Sequence, residues 1–185
     1  MKRLYSLLTL LPLFVLAQKE PIDTVQFLYS GVVKVDSVNA KTLQDRARAF
    51  VAEKLPNGPD LQHLVELDDT AVGVMIVKVE FVPHIIVHFK NIRAGLHYCT
   101  WKLQFRDGRY KYTFSDFVDS GDGQHKWTIG GPLNALKPAC GRYHIFMSEW
   151  RDIKNSANNQ AIAWITDLDR SMRRQSNINT KKDDF

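Results

Sequence analysis

The chain has 185 residues, 44% of them hydrophobic and 24% charged, and a formal net charge of +5. That is enough apolar material for one core. The basic residues are scattered along the sequence and do not announce the clustered basic face that nucleic-acid binding requires.

The N-terminus reads as an export signal. Lys2 and Arg3 open it, the stretch from Leu7 to Leu16 is apolar apart from Thr9 and Pro12, and it closes on Val15-Leu16-Ala17. The β-branched Val15 and the small Ala17, three and one positions before the cut, place cleavage between Ala17 and Gln18. The apolar run is about half the roughly 20 residues that a membrane-spanning helix needs, so the cleaved product is not an integral membrane protein. No cysteine adjoins the cut, which excludes a diacylated lipoprotein. A terminal Phe185 is also found in outer-membrane barrels, but Asn177 to Asp184 is almost wholly polar and does not alternate as a barrel strand does. Periplasm or cell exterior is the expected location.

Residues 18–24 read as a linker containing Pro21. Val25, Phe27 and Tyr29, then Val32, Val33 and Val35, predict a strand, with Gly31 as the mark of a bulge. Ser37 or Asn39 caps a helix whose apolar positions are Leu43, Ala47, Phe50 and Val51, and Pro56-Asn57-Gly58-Pro59 ends it. Leu61 to Leu67 is a short strand and Asp68-Asp69 a turn. Val72 to Val82 is a long strand with Met75, Val77, Val79 and Phe81 on one face. Pro83 interrupts, and His84 to Phe89 resumes extended. The sharpest alternation follows: Cys99, Trp101, Leu103 and Phe105 on one side, then the turn Asp107-Gly108, then Tyr110, Tyr112 and Phe114 on the returning strand. The opposite side of this hairpin is polar, so the sheet is covered on one face only. Residues 119–157 read as an irregular excursion rich in glycine, with Trp127, Phe146 and Trp150. A last helix is predicted from about Asn158 to Arg173 with the stripe Ile162, Ile165, Leu168 and Met172. Residues 175–185 have almost nothing to bury. The fold class is therefore α+β: a curved antiparallel sheet of five to six strands with two helices on one face, one domain over residues 25–174.

Three stretches carry a resemblance to a family. They are Gly31-Val32-Val33-Lys34-Val35 with Leu43-Gln44-Asp45-Arg46-Ala47-Arg48-Ala49-Phe50, the run Asp107 to Phe117, and Gly131-Pro132-Leu133 ahead of a final helix that reaches Leu168 and Met172. In these the chain resembles a bacterial domain of unknown function with a TBP-like fold, found in secreted proteins and lipoproteins. The resemblance spans most of the chain after the leader. It implies a fold, and it carries over no catalytic, cofactor or ligand residues. The long segment 119–157 departs from the pattern.

The chemistry-bearing residues form no strong constellation. His84 and His88 have the spacing of a helical zinc site, but Ile85-Ile86-Val87 favours a strand, on which they stand about 13 Å apart, too far for one zinc. Asp116, Asp119 and Asp122 sit three apart and lack the distal Glu of a calcium loop. Turn-forming roles suit them better. No Gly-x-Ser-x-Gly elbow exists, and Cys140 with His144 lacks an orienting third group. Paired, Cys99 and Cys140 would close a loop of about 40 residues, worth about 4 kcal/mol. Cys99 also fits as a buried apolar residue on the inward side of its strand. No metal or cofactor is expected. The polar sheet face, with Thr100, Lys102, Gln104, Arg109, Lys111, Thr113 and Ser115 and with Tyr98 at one end, is a surface that could receive a partner or an anionic glycan. Two functions fit. One is a non-enzymatic binding or accessory module of the bacterial envelope, whose partner is an envelope protein, peptide or glycan and not nucleic acid. The other is an exported hydrolase with a site in 119–157 that draws on His125, Cys140, His144 or the nearby aspartates.

Overall fold

The structure, a computed structural model, describes residues 26–55, 61–120, 131–138 and 145–174. The leader, the linker, the C-terminal residues 175–185 and the residues His125, Trp127, Cys140 and His144 lie outside the described residues.

In chain order the elements are β1 (Tyr29–Lys34), α1 (Ala40–Lys54), β2 (Leu61–Asp69), β3 (Val74–Phe81), β4 (His84–Val87), β5 (Lys90–Arg93), β6 (His97–Arg106), β7 (Arg109–Asp119), β8 (Gly131–Pro132) and α2 (Met147–Arg173). Strands β1-β7-β6-β3-β2 lie side by side in that order, β8 joins β7, and every pairing is antiparallel. Strands β4 and β5 form a separate hairpin. This is the α+β arrangement expected from the sequence, with six strands in the main sheet.

Both helices lie on the same side of that sheet, because both reach Trp101. Its ring stacks on Phe114 at 4.4 Å, lies 6.0 Å from Phe50 of α1 and meets Trp164 of α2 edge-on at 5.1 Å. Met75, Val77, Val79, Phe81, Cys99, Leu103, Phe105 and Tyr110 complete the buried inner face. The alternation of β3 and β6 is regular along their length, as expected of strands buried on one side. Cys99 is a fully buried free thiol, and burial pushes it well above the ordinary thiol range.

Helix α1 begins where expected. Asn39 Oδ1 accepts from the Thr42 amide at 2.8 Å, which satisfies one of the free N–H groups of the first turn. The helix is tied to β2 by Arg48, whose guanidinium donates to Asp68 at 2.5 and 2.9 Å, while Gln44 Nε2 donates to the same carboxylate. The Arg48 hydrogen bond, followed by that of Gln44, holds the Asp68 carboxyl below its ordinary range.

Several expectations need correction. Gly31 is not a bulge: β1 pairs with β7 in unbroken register from Tyr29 to Lys34. A Cβ there would stand 2.7 Å from the Tyr112 hydroxyl oxygen, so any larger residue must displace that ring. Asp68 and Asp69 are not a turn but the end of β2. The reversal comes after them, where Asp69 Oδ1 accepts from the amides of Ala71 and Val72, an Asx-type turn closed by Gly73 at φ 68°. The irregular excursion is shorter than 119–157, since α2 starts at Met147. The extra helix is held by Trp150, Ile153 and Ala157, all buried, and its first turn by the Phe146 amide donating to Glu149 Oε2 at 3.0 Å. Of its expected stripe, Leu168 and Met172 are buried and Ile165 packs partly buried against the core, whereas Ile162 is half exposed; Ala157, Ala161 and Trp164 also face the core.

Candidate functional site

The site is the face of the main sheet opposite the helices. Alternation places Arg106, Gln104, Lys102 and Thr100 of β6 outward wherever Phe105, Leu103, Trp101 and Cys99 point in. On β7, Arg109 and Lys111 flank the inward Tyr110. On β1, Ser30, Val32 and Lys34 are the exposed positions.

Register sets these residues in rows. Lys34 stands opposite Arg109, and Arg109 opposite Arg106. In the next outward row Val32, Lys111 and Gln104 align, and in the next Ser30, Thr113 and Lys102. Neighbours within a row are about 4.8 Å apart, and successive rows about 6.7 Å. Five cations therefore share a patch three strands wide. No Asp or Glu occupies an outward position of these strands before Asp116. None of the five is held in an ion pair among the described residues. Arg106, Arg109, Lys111, Gln104 and Val32 line a shallow hollow of about 330 Å³, in which Val32 is 63% exposed.

The face changes character along its length. A β-bulge interrupts β7 between the pairs Tyr98–Val118 and Thr100–Ser115, with Asp116 at φ 56°, where it accepts from Ser115 Oγ at 2.8 Å. The bulge reverses the phase of the strand, so Phe117 and Asp119 turn inward. On the far side, Lys78 lies over the ring of Tyr98 at 4.6 Å.

All of the polar-face residues read from the sequence, from Thr100 to Ser115, fall on this one surface. Lys34 and Val32 were missed. Nothing within Gly31 to Lys34 reveals that β1 will lie against β7, and without that pairing Lys34 has no relation to Arg109. The other candidates do not converge. His84 sits on β4, 3.1 Å from Asn91 Oδ1 through Nδ1, and His88 is at the tip of the hairpin; both are exposed. Of the three aspartates, Asp116 is at the bulge, Asp119 is buried, and Asp122 lies outside the described residues. Among the described residues, no group of three or more His, Cys, Asp or Glu is placed to hold a metal, and no helix is long and apolar enough to cross a membrane.

Two further features were not anticipated. His97 is fully buried with Nε2 3.9 Å from Asp119 Oδ2 and its other ring nitrogen 3.3 Å from the Gly95 carbonyl oxygen. Burial outweighs the attraction of Asp119 and lowers the His97 pKa. A second groove of about 490 Å³ lies between β4 and α2, lined by His84, Ile86, Asp152, Asn155, Asn159 and Gln160 among others.

No family model and no curated protein matches the chain. Solved structures do. A DUF4468 family protein from Bacteroides ovatus superposes with a TM-score of 0.60 at 9% identity, covering 81% of this chain and 88% of that one. A TBP-like protein from Parabacteroides distasonis gives 0.59 at 10% identity, covering 80% and 92%. The fold is thus TBP-like, shared with a domain of unknown function.

Proposed function

We propose that this chain is an exported, non-catalytic binding module of the bacterial envelope, and that its open sheet face receives an anionic glycan. The observation that carries the reading is the patch of Lys34, Lys102, Arg106, Arg109 and Lys111, none of them in an ion pair among the described residues and with no Asp or Glu at the outward strand positions between them; the Asp107 carboxylate of the adjoining turn accepts from the Ala40 amide. Such a surface attracts anions over a distance and favours them on contact. A single-stranded nucleic acid would call for aromatic platforms on which bases stack. The one outward aromatic of β6 is Tyr98, several rows away and already under Lys78. The leader-like residues 1–17 support export to the periplasm or beyond.

Two experiments test this. The full-length chain, expressed in a bacterial host, is fractionated and its N-terminus sequenced; export predicts a product beginning at Gln18, and an intact Met1 in the cytosol contradicts it. The purified protein is then passed over immobilised polyuronate, sulfated and phosphorylated polysaccharides. Retention should fall at least tenfold in K102Q/K111Q and stay unchanged in K41Q/K90Q, which removes the same charge elsewhere. Equal loss in both variants, or no retention on any matrix, overturns the reading.

A further inference from the structure

We infer that the row Lys34–Arg109–Arg106, beside the β6–β7 turn, is a subsite for phosphoryl groups, so that the charged substituents of the ligand are phosphates, preferably a diphosphate or two adjacent phosphates. This rests on the open face being the binding surface and specifies its chemistry. Three cations stand directly opposite one another across three neighbouring strands, an arrangement that weakens a sheet because like charges face each other. Two of them, Arg106 and Arg109, flank a two-residue turn, where many polar residues would serve the fold equally well.

The geometry selects among anions. A single carboxylate occupies one guanidinium fork. A line of two forks and one ammonium at strand spacing asks for anionic oxygens laid along the row, which adjoining phosphoryl groups supply. Arginine, with its planar array of donors, suits bidentate phosphate recognition. The hollow that Arg106 and Arg109 line is also lined by exposed Val32, Gln104 and Lys111. It therefore offers an apolar contact and an amide to the body that carries the phosphate.

The test uses the full chain purified after export, with inorganic pyrophosphate, citrate and sulfate as probes at matched ionic strength. Pyrophosphate should raise the melting temperature in a saturable way and bind at least tenfold more tightly than citrate or sulfate. R106Q/R109Q should lose that preference and, with no ligand at low salt, melt no lower than the parent. R106K/R109K keeps the charge, removes the forks and should bind pyrophosphate at least threefold more weakly. Equal responses to pyrophosphate and citrate, or an undiminished pyrophosphate response in R106Q/R109Q, overturns the subsite. Should that happen while the polysaccharide columns still retain the parent and release K102Q/K111Q, the subsite alone falls and the open-face reading stands; failure on the columns as well removes both. A sugar 1-phosphate and phosphatidylcholine vesicles containing phosphatidic acid then tell the sources apart. Binding to either supports phosphoryl recognition and assigns its carrier, whereas binding to plain phosphatidylcholine vesicles as strongly as to the phosphatidic acid vesicles counts against it.

Discussion

Gly31 has no room for a methyl group. A Cβ there would meet the Tyr112 ring at 2.8 Å and its hydroxyl oxygen at 2.7 Å. Gly31→Ala should cost about 1–3 kcal/mol through displacement of that half-buried ring, measured as a drop in urea midpoint; an unchanged midpoint would show that Tyr112 moves freely. His97 makes a different prediction. Buried beside Asp119 and packed against the ring of Phe81, it stays neutral where the unfolded chain, with an ordinary histidine pKa of about 6.5, takes up a proton. The unfolded state then binds more protons, so stability falls as the pH drops from about 6.5 toward the lowered folded-state value. Denaturation curves between pH 7.5 and 5 should show that decline, and His97→Asn should flatten it; parallel curves for the two proteins would contradict the assignment. Neither residue's role was legible in the sequence. Gly31 needed the neighbour across the strand pair, and His97 precedes the recognisable alternation by one inward position.

At the scale of elements, what could be read was what local pattern determines. Strand β6 and the return of β7 as far as Phe114 alternate without interruption, and α1 carries its own cap in Asn39. What escaped had been set by partners. The first three turns of α2 contain Asn, Ser and a fully buried Lys154 whose ammonium lies 5.6 Å from the Trp150 ring centroid, a composition that reads as loop until the core side is known. The stripe was read only in part for the same reason: Leu168 and Met172 are buried as expected, yet Ile162 is half exposed while the less greasy Ala157 and Ala161 are fully buried. The bulge at Asp116 likewise left no trace in the alternation up to Ser115. These assignments separate two substitutions. Ile153→Asp, at a fully buried position, should destabilise by about 3 kcal/mol or more through an unpaired buried charge. Ile162→Asp, at a half-exposed position, should cost within about 0.5 kcal/mol. Thermal melts of the two variants check this, and a larger loss for Ile162→Asp would mean the helix is turned the other way.

At the scale of the molecule, the architecture divides labour between two faces. One face of the sheet is spent on Trp101, Phe114 and the two helices, and the other is left with cations drawn from two distant stretches of chain, Lys34 and the hairpin from Lys102 to Lys111. The net charge of +5 gave no hint of this, because clustering comes from strand order: β1 is the first strand and β7 the seventh, yet they are neighbours. The polar face itself was legible from the alternation of β6 and β7, whereas its cationic row was not. Chemical-shift mapping on the isotopically labelled protein, titrated with a short oligosaccharide of the polyanion that the columns retain most strongly, tests the open-face account most directly. The account predicts saturable shifts concentrated on Ser30 to Lys34, Lys102 to Arg106 and Arg109 to Thr113, with α1 and α2 silent. Shifts centred instead on the groove between β4 and α2, or no shifts at saturating ligand, would contradict it.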